Sequence, residues 1–112
     1  MVKAGDLKDP IEKAIIEQGL RIVDVLAYKD LDLLAVVLNS GHVLQIPITD
    51  HMRLSKASES DIKAWRLIGG GIGIHWEKLD EDLSLKGFIQ ASARSEALRK
   101  LARSRKFKAK PK

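Results

Sequence analysis

Apolar residues recur along the chain in short blocks separated by turn residues, and the spacing inside each block predicts its element. The first block predicts a helix from Pro10 to about Gln18. Asp9 stands at the N-cap, Pro10 at N1 and Glu12 at N3, Ile11, Ile15 and Ile16 mark the buried face, and Gly19 is the stop. Three strands are predicted next. Residues 21–28 and 31–38 are rich in Val, Ile and Leu and are joined by a tight turn at Lys29-Asp30. Asn39-Ser40-Gly41 is a hairpin signal, and residues 42–48 place Leu44, Ile46 and Ile48 on one face. Pro47 cannot donate to a ladder, which makes this third strand an edge and the place where a partner's strand could be added.

One face of that meander needs cover. The spacing of Ile62, Trp65 and Ile68, behind Ser58 and Asp61, predicts a helix over residues 58–68 that ends at Gly69-Gly70-Gly71. A short fourth strand follows, with Ile72, Ile74 and Trp76 on one face and Gly73, His75 and Glu77 on the other. Asp80-Glu81-Asp82 reads as an acidic loop in which Asp82 or Ser84 caps the next turn. Leu83, Leu85, Phe88 and Ile89 supply the last core contacts. From Ala91 the composition shifts to Ala, Ser, Arg, Leu and Lys. Ser92 or Ser95 caps a helix with Leu98, Leu101 and Ala102 as its stripe, and the chain beyond Phe107 is expected to be disordered. There is no internal repeat. The expected fold is α+β: a small antiparallel sheet, a three-strand meander plus a short fourth strand, covered by helices, with a basic helical C-terminal tail. Residues 1–90 form the domain and residues 91–112 a basic helical or disordered tail.

Composition narrows the chemistry. At 112 residues there is room for one domain, and a hydrophobic content of 45% is enough for a core. Without cysteine, neither disulfides nor thiolate metal sites can form. No leader pattern and no apolar run of about 20 residues is present, so a cytoplasmic protein without a membrane span is expected. The net charge of +5 is polarised: residues 94–112 carry nine Lys/Arg against Glu96, a charge of +8, and residues 1–93 carry −3. Such a tail suits the phosphate backbone of DNA, with Arg99, Lys100, Arg103, Arg105, Lys106 and Lys108 as the cations.

The run Ile68-Gly69-Gly70-Gly71-Ile72-Gly73-Ile74-His75-Trp76, followed by Leu79-Asp80-Glu81-Asp82-Leu83-Ser84, resembles the bacterial family catalogued as domain of unknown function 2442. The likeness covers roughly residues 20–90, including Asn39-Ser40-Gly41 and Trp65. It implies a small α+β domain without an assigned enzyme activity. Several members carry a helix-turn-helix or basic tail after the domain, and some are encoded beside a second small protein in what looks like a toxin–antitoxin pair. This tail lacks the Gly-Arg-Pro run with which many members end. The resemblance singles out Gly69, Gly70, Gly71, Gly73, His75, Trp76, Asp80 and Asp82 without giving them a role.

The glycine run is no phosphate cradle, because such a loop needs a strand before it, a helix after it and a Lys-Ser/Thr pair. A helix stop with close backbone packing is the favoured explanation. His75 with Glu77, Asp80, Glu81 and Asp82 collects one imidazole and four carboxylates, but with neither a second histidine at helical spacing nor a calcium-loop glycine, so no metal site is assigned. His42 and His51 are isolated surface residues, and no serine stands in a nucleophile elbow. No catalytic residue and no cofactor are expected. The resulting expectation is a non-enzymatic binding module, antitoxin-like, with a small protein encoded nearby as its partner and a tail that binds DNA non-specifically. The alternative is a small enzyme of unrecognised type that uses His75 with Glu77 or Asp82.

Overall fold

The structure, a computed structural model, describes residues 9–108, with side chains described through residue 102. Helix α1 spans Pro10–Ile16, and the Asp9 carboxylate accepts from the Ile11 N–H at 2.8 Å. Glu12 does not close a capping box; it accepts from Lys86 Nζ at 2.5 Å. The Arg21 guanidinium donates to the carbonyls of Ile15, in the last turn of α1, and Leu20, in the link to β1, both at 2.7 Å.

The chain then forms β1 (Ile22–Tyr28), β2 (Leu33–Leu38) and β3 (Val43–Ile46), an antiparallel sheet in that order. Ile22 and Val25 both face the core although they are three residues apart, because a register shift between Ile22 and Asp24 adds a residue to β1. The β1–β2 connection is longer than a two-residue turn: Lys29–Leu31 forms a 3-10 turn and Asp32 takes the left-handed conformation at φ 51°. Asp32 then accepts from the N–H and the hydroxyl of Thr49, at 2.9 and 2.8 Å, which ties this turn to the segment after β3. As expected, β3 is an edge, with Pro47 just beyond it.

The largest departure lies between residues 58 and 84. Ser58 does cap a helix, accepting from the Asp61 N–H at 3.1 Å, but α3 covers only Glu59–Ile62 and follows the equally short α2 (Met52–Ser55). Trp65–Ile68 is not helical; it is β4, and the glycines are the turn of a hairpin into β5 (Gly73–Trp76). The acidic stretch is not a loop. Glu77–Leu79 forms a 3-10 turn, Asp80 is left-handed at φ 51°, and β6 (Glu81–Ser84) pairs with β5. The short fourth strand is therefore the middle of a second three-stranded sheet, in the order β4-β5-β6. The same loop thus occurs once in each sheet: Tyr28 to Asp32 and Trp76 to Asp80 both run aromatic, two polar residues, Leu, left-handed Asp.

Helix α4 spans Leu85–Lys108, beginning well before Ser92 or Ser95. Ser84 starts it, its hydroxyl accepting from the Gly87 N–H at 3.0 Å. One core joins both sheets and the helices, with Ile22, Leu34, Ile46, Leu54, Ile62, Ile74, Trp76, Leu85 and Phe88 all buried. Trp76 donates its indole N–H to the Ile62 carbonyl at 2.8 Å, so its one polar atom is satisfied inside that core. No helix among the described residues is long and apolar enough to cross a membrane.

Candidate functional site

The glycine run joins the two sheets. Gly69, Gly70 and Gly71 all have positive φ, which a side chain would disfavour. Gly71 is the demanding position. A Cβ there would lie 2.5 Å from the Ile22 carbonyl oxygen, and the Gly71 carbonyl accepts from the Ile22 N–H at 2.8 Å. One residue on, the Ile72 carbonyl accepts from the Leu85 N–H at 2.8 Å, while the Ile72 side chain is exposed instead of sharing the inner face of Ile74 and Trp76. Gly73 is close-packed as well, with a Cβ position 3.3 Å from the Leu83 carbonyl oxygen. Gly71 and Gly73 are thus close to neighbouring backbone, whereas Gly69 and Gly70 serve the positive-φ turn. A strand follows them, so no helix N-terminus faces the turn and a phosphate cradle is not formed.

The outward face of the second sheet gathers the charged residues. In register, Arg66 on β4, His75 on β5 and Asp82 on β6 stand side by side. His75 Nδ1 is hydrogen-bonded to Asp82 Oδ1, and Nε2 lies 3.2 Å from Glu77 Oε1. Glu77 Oε1 is in turn 3.7 Å from Arg66 Nε. The hydrogen bond to Asp82 is the largest cause holding the His75 pKa above its ordinary value, with the charges of Asp82 and Glu77 adding to it. An imidazole facing a carboxylate at each nitrogen is matched by its protonated form, which donates twice. Asp80 and Glu81 do not join this group. Arg53 takes both, through the Asp80 carbonyl at 2.5 Å and the Glu81 carboxylate at 3.9 Å. No group of three or more His, Asp or Glu among the described residues is arranged to hold a metal ion. His42 is exposed and shares a 3.0 Å contact with Ser40, whereas His51 is half-buried.

The expected cationic tail is part of α4. Its inner half packs through Leu85 and Phe88, but Leu98 and Leu101 are each 58% exposed, so the stripe assigned to them lies outside the core of the described residues. Lys100 is exposed, and Arg99 is engaged by Glu96 at 2.5 Å. For Arg103, Arg105, Lys106 and Lys108 only the helical backbone is described, and the disorder expected past Phe107 falls largely outside the described residues.

Sequence reasoning placed Asn39 in a hairpin and missed its clamp on the start of β1. The Asn39 carboxamide accepts from the Arg21 N–H and donates to the Gly19 carbonyl, both at 3.0 Å, clamping the entry to β1. A groove of about 560 Å³ runs beside β1, lined by Val25 to Leu31 and by Glu59 and Lys63. Val23, Leu26 and Tyr28 on this strand and Leu31 in the turn after it are exposed apolar residues.

The family model described as "Protein of unknown function (DUF2442)" matches residues 22–94, from β1 into α4. A crystal structure of a protein of unknown function from Rhodospirillum rubrum is 31% identical. That match covers 63% of this chain and 86% of that one, with a TM-score of 0.56. The solution structure of an uncharacterized protein from Chromobacterium violaceum is 19% identical and covers 82% of this chain and 86% of that one. With a TM-score of 0.59, it shows the shared fold alone. No curated protein matches.

Proposed function

The chain belongs to the DUF2442 family, and from that premise we propose that it is a non-enzymatic binding module, the antitoxin-like member of a pair with a second small protein. The observation that carries this reading is the outer half of α4. From Glu96 to Ala102 every residue is exposed, so two leucines and two cations, Arg99 and Lys100, stand clear of the core. Most helical stability comes from packing of an apolar face, and contact with a partner would supply it here. The charge of −3 over residues 1–93 suits a basic partner protein, while Arg99, Lys100, Arg103, Arg105, Lys106 and Lys108 suit DNA phosphates. Phosphate contacts need only such cations, so DNA binding is expected to be independent of sequence.

The His75 cluster supports binding over chemistry. An acid–base residue needs a nitrogen free for substrate, and both nitrogens of His75 face carboxylates. Co-expression with the product of the adjacent gene, followed by affinity purification, tests the reading. A stoichiometric complex is expected, and its absence would remove the antitoxin-like role. Hydrolysis or transfer activity lost in His75→Gln would instead establish the enzyme alternative.

A further inference from the structure

We propose that the outer face of the first sheet is where two copies of this chain pack together, sheet on sheet, about a twofold axis that lies across the strands. The composition of β2 is the first argument. Leu33–Leu38 is six apolar residues in a row, whereas a strand with one face in water alternates apolar with polar. Leu34, Val36 and Leu38 belong to the core. Leu33, Ala35 and Val37 point to the opposite side and are neither part of that core nor packed against it. The register extends this face over all three strands. Leu26 stands beside Ala35 and Gln45, Tyr28 beside Leu33, and Asp24 beside Val37 and Val43. Leu26, Tyr28 and Val43 are 37%, 47% and 49% exposed, so apolar surface runs from β1 to β3. The outward side of the second sheet carries Arg66, His75 and Asp82 instead.

The polar groups on the face select a second copy as the occupant. Asp24 is the one charged side chain among these positions, so the face calls for neither a strongly acidic nor a strongly basic partner. An axis along the row of Leu26, Ala35 and Gln45 sets each of these against its own counterpart: leucine on leucine, small alanine on alanine, and two carboxamides that can bond each other. The row of Tyr28 and Leu33 then meets the row of Asp24 and Val37. The Tyr28 hydroxyl has no hydrogen-bond partner among the described residues and donates to Asp24 of the other copy. That carboxylate already accepts from the Val25 N–H through Oδ1, at 2.8 Å, and has Oδ2 open. Ser95 and Arg99 of α4 line a cavity of about 230 Å³ with Leu33 and Pro47 at one end of the face, so the same axis sends the two basic helix ends to opposite ends of the pair. From strand spacing and rise the face measures roughly 14 by 20 Å, small for a protein interface, so the dimer is weak, with a Kd on the order of 10–100 µM. It forms independently of the partner that α4 takes.

Sedimentation equilibrium of the full chain, over concentrations that bracket this value, tests the proposal. A monomer–dimer equilibrium is expected. Leu26→Lys and Leu26→Glu each bring like charges together on the axis and are expected to weaken the dimer about tenfold or more. An equimolar mixture of the two variants pairs opposite charges there and is expected to restore it. Ile72→Lys, at an exposed position in the turn after the glycines, is expected to leave it unchanged. If a charged Leu26 variant fails to fold, Tyr28→Phe carries the test: it removes one hydrogen bond on each side of the axis and is expected to weaken the dimer by about tenfold. A chain that stays monomeric throughout, a dimer insensitive to Leu26→Lys or Tyr28→Phe, or no recovery in the mixture of folded variants would each overturn the proposal.

Discussion

Gly71 offers the sharpest test of how the two sheets are held together. In Gly71→Ala the new methyl carbon would sit 2.5 Å from the Ile22 carbonyl oxygen and 3.0 Å from both the Ile22 nitrogen and Arg21 Cβ. Two of these atoms are backbone, so relief requires moving β1 or the turn. The φ of 120° is also outside the range that L residues adopt readily, a cost of about 1–3 kcal/mol. Separation of the turn from β1 breaks the bond from the Ile22 N–H and leaves it unpaired, for another ~1–3 kcal/mol. The sum centres on about 4 kcal/mol, a large share of the ~5–15 kcal/mol that stabilises an ordinary domain. Gly70→Ala is the internal control. Its φ is 72° and nothing lies within 4 Å of its Cβ position, so only the left-handed backbone cost of about 1 kcal/mol applies. Urea unfolding followed by the fluorescence of buried Trp76 separates the two variants. With an m-value near 2 kcal/mol/M, the Gly71 variant is expected to lose about 2 M in midpoint and the Gly70 variant about 0.5 M. Equal midpoints would refute the close approach of Gly71 to Ile22.

The ionic cluster predicts a pH dependence. His75 has a raised folded pKa, so its stabilisation is fully present below the unfolded value of about 6.5 and is lost as pH rises through the folded value above it. Unfolding midpoints measured from pH 5.5 to 9 are expected to fall with rising pH in the wild type and to flatten over that window in His75→Gln; parallel curves would exclude the cluster. Asn39→Ala removes both side-chain hydrogen bonds at the entry to β1 and is expected to cost about 1–2 kcal/mol, with faster amide exchange at Arg21 as the local readout. Deletion of residues 94–112 is expected to leave the fold standing, since Leu98 and Leu101 lie outside the core, and to abolish DNA binding whose affinity falls steeply with salt. Equal DNA affinity of the full and shortened chains would show that the basic residues have no such role.

Elements whose local signals agree with their packing were legible. The cap at Asp9, the β1-β2-β3 meander and the edge character of β3 follow from apolar blocks and turn residues. Residues 65–68 were misread because Ile62, Trp65 and Ile68 repeat every three positions while belonging to different elements, Ile62 to α3 and the others to β4. With that strand taken for a helix, the glycines looked like a stop instead of a hairpin. Three consecutive acids likewise hid β6, whose alternation only becomes visible as half-buried Glu81 and Leu83 against exposed Asp82 and Ser84. The pairing of His75 with Glu77 or Asp82 was within reach of proximity alone. The role of Arg66 was not, because it depends on the β4–β5 register.

The bond between the Gly71 carbonyl and the Ile22 N–H also has a kinetic meaning. Each hairpin can close over a few residues, but this contact joins positions about 50 residues apart, for which loop closure costs roughly 3.5 kcal/mol of chain entropy. The first sheet can thus form from short-range contacts, whereas the second must find it across a long span. Docking of the glycine turn is expected to follow the folding transition state, so a defect at Gly71 is expected to show mainly as faster unfolding, with the folding rate nearly unchanged.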